Sequence, residues 1–209
     1  MKILSDAHIG QVLRDYGVTP EAELCERIRV YMSLLLRWNQ SISLTTVTSP
    51  DAILRFHFGE SFFGASALSL KNGRLADVGS GAGFPGLPLA MFLPGLDVTL
   101  IESNAKKFAF LSEVVRELAL PNAIPVRTRI EDFDRQGPPF DFVSARAVGQ
   151  FEILLQWSQR ELDNSGSVLL WIGQDDIARI SATLGWIWSE PVAIPGSERR
   201  LLLSGSLIR

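Results

Sequence analysis

Residues 75–90, LADVGSGAGFPGLPLA, constrain the fold more than any other stretch of the sequence. An apolar segment ends at Val78, four glycines follow within eight residues, and a second apolar segment begins near Pro85. This order is typical of a β-strand, a sharp turn and the start of a helix. Glycine permits such a turn and lets a ligand approach the backbone, because it has no Cβ. A turn without a ligand is the alternative, but so many glycines favour a binding site.

The glycine-rich turn matches two nucleotide-binding patterns. The pattern G-x-G-x-x-G, typical of dinucleotide-binding domains, is formed by Gly81, Gly83 and Gly86. The pattern D-x-G-x-G-x-G, typical of S-adenosylmethionine (SAM)-dependent methyltransferases, is formed by Asp77, Gly79, Gly81 and Gly83. Asp77 would either organise the loop or reach the amino group of SAM. The turn alone therefore leaves NAD and SAM open as ligands.

From residue 74 onwards, strand-like and helical segments alternate. The predicted strands are Leu75–Val78, Val98–Glu102, Ile124–Arg127, Phe142–Ala145 and Ser167–Ile172. Helices are predicted from about Pro85, Ala105, Gln150 and Gln174. This alternation predicts an α/β fold with a doubly wound parallel sheet.

The last two strand-like runs depart from this alternation. WIWSEPVAI and RRLLLSGSLI are separated by PGSE with no helix between them, so we predict a β-hairpin. A two-half dinucleotide fold would continue with further βα units. A Rossmann-like sheet closed by an antiparallel hairpin is typical of class I SAM-dependent methyltransferases. The hairpin therefore favours SAM over NAD.

Residues 1–72 are predicted to be helical. Thr19 and Pro20 predict the start of one helix, and a second helix is predicted from about Pro50. The first helix has an apolar face with helical spacing, formed by Leu24, Ile28, Tyr31, Leu35 and Trp38. A unit of this size is too small to stand alone, so we expect an N-terminal helical cap over residues 1–72 and a methyltransferase domain over residues 73–209.

Two acidic positions follow predicted strands. Glu102 ends the second strand, at about the distance from the glycine turn where a carboxylate binds ribose hydroxyls in NAD or SAM. Ile130 and Glu131 follow the third strand, where they would flank an adenine through an apolar contact and an acceptor for its amino group. An ordinary acidic loop is an equal alternative for these two residues.

Basic residues occur near the same predicted edge of the sheet. Arg146 ends the fourth strand, and ligands of open α/β sheets lie beyond the carboxyl ends of strands. We therefore favour a functional role for Arg146 over a salt bridge with a neighbouring acid. Lys106 and Lys107 lie in the first turn of a predicted helix, where the helix dipole does not favour them. They would either be solvated or face an anionic partner.

The composition excludes several classes of protein. The formal net charge of −3 argues against a protein whose main task is tight, nonspecific RNA binding, although a local basic patch remains compatible with it. One cysteine and two distant histidines predict no metal site and no disulfide. The apolar runs are too short for a membrane span, and residues 1–10 do not resemble a secretory signal. We expect a cytoplasmic monomer.

With these residues in view, the chain resembles the RsmG (GidB) family of bacterial methyltransferases. The resemblance extends over nearly the whole chain. It includes RWNQSISLT, RFHFGES, DVGSGAGFPGLPLA, ESNAKKFAFL, VSARAV and GSERRLLL. It implies transfer of a methyl group from SAM to N7 of a guanine in 16S ribosomal RNA, in the small ribosomal subunit. It also implies that Gly79 and Phe84 line the SAM site, that Ile130 and Glu131 contact adenosine, and that Arg146 lies at the reaction centre.

The sequence departs from the family pattern at two positions. Ile172 stands where the family usually has a lysine, and Ser43 stands where it usually has an asparagine. We expect these departures to affect substrate binding more than cofactor binding. An NAD-binding oxidoreductase and a SAM-binding module without turnover remain the alternatives. Guanine N7 has a lone pair and no proton to lose, so no dedicated catalytic base is expected.

Overall fold

The computed structural model describes residues 4–147 and 149–208, in which eight strands form one mixed sheet. The strands are β1 Asn72–Val78, β2 Gly95–Ile101, β3 Ala123–Val126, β4 Phe140–Arg146, β5 Leu162–Gly173, β6 Trp186–Trp188, β7 Val192–Ala193 and β8 Arg200–Leu207. Their order is β3–β2–β1–β4–β5–β8–β6, and β7 also pairs with β8. Strands β1 to β5 are parallel, which confirms the predicted α/β alternation.

The carboxyl-terminal strands close the sheet in the antiparallel direction. Strand β8 lies between β5 and β6 and runs antiparallel to both. The predicted hairpin is confirmed, with its first arm divided into β6 and β7.

The helices form two layers around the sheet. They are α1 Asp6–Arg14, α2 Ala22–Trp38, α3 Pro50–Ile53, α4 Glu60–Ala67, α5 Gly86–Phe92, α6 Ala105–Glu117, α7 Phe151–Glu161 and α8 Ile177–Ser181. A π-helical segment, Leu54–Gly59, joins α3 to α4. Residues of α1 to α6 pack on one face of the sheet, and residues of α7 and α8 pack on the other face. Neighbouring side chains of β5 point to opposite faces of the sheet, since Leu169 packs against the first layer and Leu170 against the second.

The amino-terminal helices share their hydrophobic core with the sheet. On α2, Ile28, Tyr31 and Leu35 are fully buried, as their spacing predicts. The backbone of α4 approaches the sheet closely, because a Cβ on Gly64 would lie 2.2 Å from the ring of Trp171 on β5. Helices α1 to α4 therefore cover one face of the sheet as a continuous layer.

Two helix starts were predicted with different success. Ser49 precedes α3 and its hydroxyl accepts a hydrogen bond from the N–H of Ala52, so the prediction near Pro50 is confirmed. The predicted start at Pro20 is wrong, since α2 begins at Ala22 and is preceded by Glu21. Cap residues are the least certain part of a predicted helix because several starts satisfy the same pattern.

Within residues 4–147 and 149–208, no helix is long and apolar enough to cross a membrane. No group of three or more histidine, cysteine, aspartate or glutamate side chains is arranged to hold a metal ion among those residues.

Candidate active site

The glycine-rich turn forms a loop between β1 and α5. The N–H groups of Gly79 and Ser80 both donate to the carbonyl oxygen of Ile101 on β2, at 2.9 and 3.1 Å. Gly81 and Gly83 have φ angles of 57° and 87°, in the left-handed region that favours glycine. The loop is thus fixed at the carboxyl ends of β1 and β2, where ligands bind in open α/β sheets.

Aromatic side chains hold the loop against the amino-terminal helices. The hydroxyl of Tyr31 on α2 donates to the carbonyl oxygen of Ala82 at 2.6 Å. The ring of Phe84 lies between Tyr31 and His57, with centroid distances of 5.1 and 4.7 Å. A Cβ on Gly83 would lie 2.4 Å from the Tyr31 hydroxyl, so glycine is required for this close approach.

Glu102 links the end of β2 to the glycine loop. Its Oε2 accepts a hydrogen bond from the N–H of Gly81 at 2.9 Å, and its Oε1 accepts one from the N–H of Asn104 at 2.7 Å. Each carboxylate oxygen can accept more than one hydrogen bond. The carboxylate is therefore held in place and keeps capacity for a ligand.

A first cavity lies at the ends of β2 and β3, and we call it the β2-end cavity. Its volume is about 330 Å³. Its lining includes Gly79, Glu102, Ile130 and Glu131. Ile130 and Glu131 lie on a single 3₁₀ turn that follows β3. The fold thus brings together four residues that the sequence placed in a cofactor site.

Asp77 does not line this cavity. Its carboxylate is 1% exposed, and its Oδ1 accepts a hydrogen bond from the hydroxyl of Ser144 at 2.7 Å, across the β1–β4 pair. Burial raises the pKa of Asp77 to about 6, and hydrogen bonds from Ser144, Ser80 and Gly86 oppose that shift. The sequence left two roles open for Asp77. Its place beneath the loop supports a role in organising the loop, and its contact with the amino group of SAM stays a prediction.

A second cavity of about 240 Å³ lies over the glycine loop, and we call it the central cavity. Thr45, His57, Phe84 and Arg146 line it. The hydroxyl of Thr45 accepts a hydrogen bond from the N–H of Val47, so its own proton is free to be donated to Nε2 of His57, 2.8 Å away. Burial, with a smaller contribution from Arg146, lowers the pKa of His57 to about 4. His57 is therefore neutral near pH 7.

Arg146 is held by a buried carboxylate. Its Nη2 donates to the carbonyl oxygen of Phe56 at 2.7 Å and lies 3.0 Å from Oε2 of Glu60, which is 1% exposed. Arg200 approaches the other oxygen of Glu60 at 2.9 Å. Burial raises the pKa of Glu60, while the two arginines oppose that shift. The Nη1 group of Arg146 is buried and makes no hydrogen bond with the described residues, which leaves donors for a ligand.

A third cavity of about 420 Å³ lies at the ends of β4 and β5, and we call it the β5-end cavity. Its lining includes Arg146, Ala147, Trp171, Ile172 and Asp176. The central cavity shares Arg146 and Ala147 with it, and shares Gly79 with the β2-end cavity. The three cavities therefore form a row along the carboxyl edge of the parallel strands.

The sequence did not predict three residues of this row. Thr45, His57 and Glu60 come from the amino-terminal helices and the segment before them. The motif RFHFGES contains two of them, but its role was visible only as a family resemblance. Their placement depends on how these helices pack on the sheet.

Four cations lie at the rim of the row without an ion pair to any described residue. They are Lys106 and Lys107 at the start of α6, and Arg127 and Arg129 after β3. Lys107 lines the central cavity and Arg129 lines the β2-end cavity. This rim is locally basic although the chain as a whole is acidic.

Solved structures with a similar fold are methyltransferases. A precorrin-6y C5,15-methyltransferase from Geobacter metallireducens matches with a TM-score of 0.59 and 15% identity, over 80% of this chain and 92% of that chain. The glycopeptide N-methyltransferase MtfA in complex with SAM matches with a TM-score of 0.61 and 11% identity, over 73% of this chain and 94% of that chain. At these identities the likeness shows the class I methyltransferase fold alone.

Sequence relatives give the family. Residues 24–184 match the model of the family described as rRNA small subunit methyltransferase G. The ribosomal RNA small subunit methyltransferase G of Desulfitobacterium hafniense is 40% identical over 77% of this chain and 68% of its own length. The protein of the same name from Chromohalobacter salexigens is 32% identical over 95% of both chains. The resemblance stated from the motifs is confirmed, and the chain belongs to the rRNA small subunit methyltransferase G family.

Proposed function

We propose that this chain transfers the methyl group of SAM to N7 of a guanine in 16S ribosomal RNA. The observation that carries the proposal is the row of three adjacent cavities at the carboxyl edge of the sheet. A row of this kind has room for a nucleoside at one end, a methyl donor in the middle and an acceptor base at the other end. Family membership supports ribosomal RNA of the small subunit as the substrate.

The residues of the first two cavities fit SAM. Glu102 has acceptor capacity for the ribose hydroxyls, and Ile130 and Glu131 line the same cavity, which supports the proposal that they contact adenine. A Cβ on Gly81 would meet only the carbonyl oxygen of Gly79, at 3.6 Å, so this glycine leaves the floor of the central cavity open. When bound, SAM supplies an electrophilic methyl group on a sulfonium centre. The NAD alternative is not favoured, because the chain belongs to a methyltransferase family and the closing hairpin is typical of class I methyltransferases.

The chain's own residues supply alignment rather than a base. Guanine N7 attacks through a lone pair, so holding the base in line is the main requirement. The free Nη1 donors of Arg146 suit guanine O6, the acceptor beside N7. Positive charge develops on the guanine during transfer, and the carboxylate of Glu60 offsets the charge of Arg146. Neutral His57 adds no further charge to the central cavity.

The basic rim supports binding of RNA beside the cavities. Lys106, Lys107, Arg127 and Arg129 have no competing ion pair with the described residues, so they are available to phosphates. Ile172 is buried at 4% exposure and adds no charge to the β5-end cavity. We propose that the assembled small subunit supplies affinity that this limited patch does not. The monomeric state and the cytoplasmic location stay predictions.

The experiment that tests the proposal compares cells with and without the gene. We expect N7-methylguanine to be present in 16S ribosomal RNA from the first cells and absent at one position from the second. Restoring the gene should restore the modification. An unchanged set of N7-methylguanines would contradict the proposed function.

A further inference from the structure

The β5-end cavity is lined by polar groups at the ends of two neighbouring strands, β4 and β5. Its volume of about 420 Å³ lies within the range of about 300–1,000 Å³ typical of small-molecule sites. Arg146 lies on the wall shared with the central cavity. Asp176 follows β5, one strand further along the sheet, and does not line the central cavity. Phe151 and Trp171 contribute apolar lining.

The carboxylate of Asp176 is available to a ligand. Asp176 is the N-cap residue of α8, but its carboxylate accepts no capping hydrogen bond and makes no other hydrogen bond with the described residues. Its nearest cation is Arg179, whose Nη2 lies 3.8 Å from Oδ1, a loose ion pair. Arg179 itself packs over the ring of Phe151, with its Cζ 4.9 Å from the ring centroid. Asp176 is therefore a charged acceptor in the cavity wall with free hydrogen-bonding capacity.

The neighbouring acid, Asp175, is not available to a ligand in this cavity. Asp175 is bound by Arg199 at 2.7 Å, its side chain is 83% exposed, and it lines none of the three cavities. The two adjacent aspartates thus have the same charge but only one of them faces the cavity. This pair gives a matched control for any substitution.

The hydrogen-bonding groups of guanine match Arg146 and the carboxylate of Asp176. If N7 faces the methyl donor, O6 lies near Arg146 and the opposite edge of the base points away from the central cavity. That edge carries two donors in guanine, N1–H and the 2-amino group. Adenine lacks both of these donors. A carboxylate accepts both hydrogen bonds, and enzymes that flip a base commonly read it at this edge.

We propose that Asp176 selects guanine, by accepting hydrogen bonds from N1–H and the 2-amino group of the target base in the β5-end cavity. The inference rests on the proposed function, since it takes N7 as the atom that is methylated. Asp176 is thereby a specificity-determining residue, separate from the residues that hold SAM.

The first test measures methyl transfer to small subunits isolated from cells that lack the gene. Asp176→Asn should lower kcat/KM at least tenfold, with the affinity for SAM unchanged, while Asp175→Asn should stay within about twofold of the unsubstituted protein. Equal activity of the two variants would overturn the inference. An inactive unsubstituted protein would instead overturn the proposed function.

The second test separates base reading from a structural role. Guanosine and adenosine 5′-monophosphates are compared as inhibitors of the same reaction. The guanine nucleotide should inhibit the unsubstituted protein and Asp175→Asn more strongly than the adenine nucleotide does, and Asp176→Asn should lose this difference. A difference that persists in Asp176→Asn, or that is absent from the unsubstituted protein, would overturn the inference.

Discussion

The carboxylate of Glu102 accepts a hydrogen bond from the N–H of Gly81 at 2.9 Å, which joins the end of β2 to the glycine loop after β1. The same carboxylate lines the β2-end cavity. One side chain thus shapes the loop and faces the proposed ribose site.

Glu102→Ala should weaken SAM binding by about 1.5–3 kcal/mol, the range for a hydrogen bond to a charged group. Isothermal titration calorimetry with SAM and with S-adenosylhomocysteine measures the change, and Glu117→Ala on the surface of α6 is the control. NADH should give no binding heat. Unchanged SAM affinity would remove Glu102 from the site.

The pKa of His57 sets a pH dependence of stability. The folded protein holds this pKa at about 4, below the ordinary value of 6.5, so its contribution to stability is present above pH 6.5 and is lost as the pH falls towards 4. His57→Gln should lower the free energy of unfolding, measured in urea, by about 2 kcal/mol less at pH 5 than at pH 7. The pKa of Asp77 is raised, so its contribution to stability changes with pH in the opposite direction. The unsubstituted protein and the His57→Gln variant are therefore compared at each pH. An equal cost at both pH values would contradict this prediction.

The basic rim predicts salt-dependent RNA binding. Substituting Lys106 and Arg127 together by alanine should weaken binding to 16S ribosomal RNA and lower the slope of log affinity against log salt by about 1.5. Neither residue lines any of the three cavities described above, so SAM affinity should not change. Lys71→Ala, just before β1 at the other edge of the sheet, is the control. An unchanged salt slope would exclude the rim as a phosphate-binding surface.

The amino-terminal helices are predicted to be required for a stable fold. Leu35 is fully buried, so Leu35→Ala should lower the free energy of unfolding by about 2–5 kcal/mol. Leu184 is 89% exposed, and Leu184→Ala should change it by less than about 0.5 kcal/mol. We propose residues 1–72 as a cap that does not separate from the sheet. A stable, soluble fragment beginning at Arg74 would contradict this proposal.

The fold was predictable because its signals are local. Apolar runs, glycines and the final pair of strands each specify an element within a few residues of sequence. The residues at strand ends were also predictable, since a strand end fixes the edge of the sheet where Glu102 and Arg146 lie.

Other parts of the site depend on contacts that are distant in sequence. Glu60 meets Arg146 and Arg200 only because α4 packs against the ends of β4 and β8. Asp77 was placed at the correct strand end, but its side chain pairs with Ser144 beneath the loop. The direction of a side chain at a strand end follows from the packing of neighbouring strands, which the local sequence does not specify.

The most direct measurement of the central claim is methyl transfer in vitro. Small subunits and naked 16S ribosomal RNA from cells lacking the gene are incubated with the protein and SAM labelled with tritium in the methyl group, and the labelled nucleosides are identified. We predict label in N7-methylguanosine, with more transfer to subunits than to naked RNA. Arg146→Lys should lose most of the turnover, because lysine keeps the charge beside Glu60 but lacks the planar fork of arginine. Label on another base, or at another atom of guanine, would contradict the account.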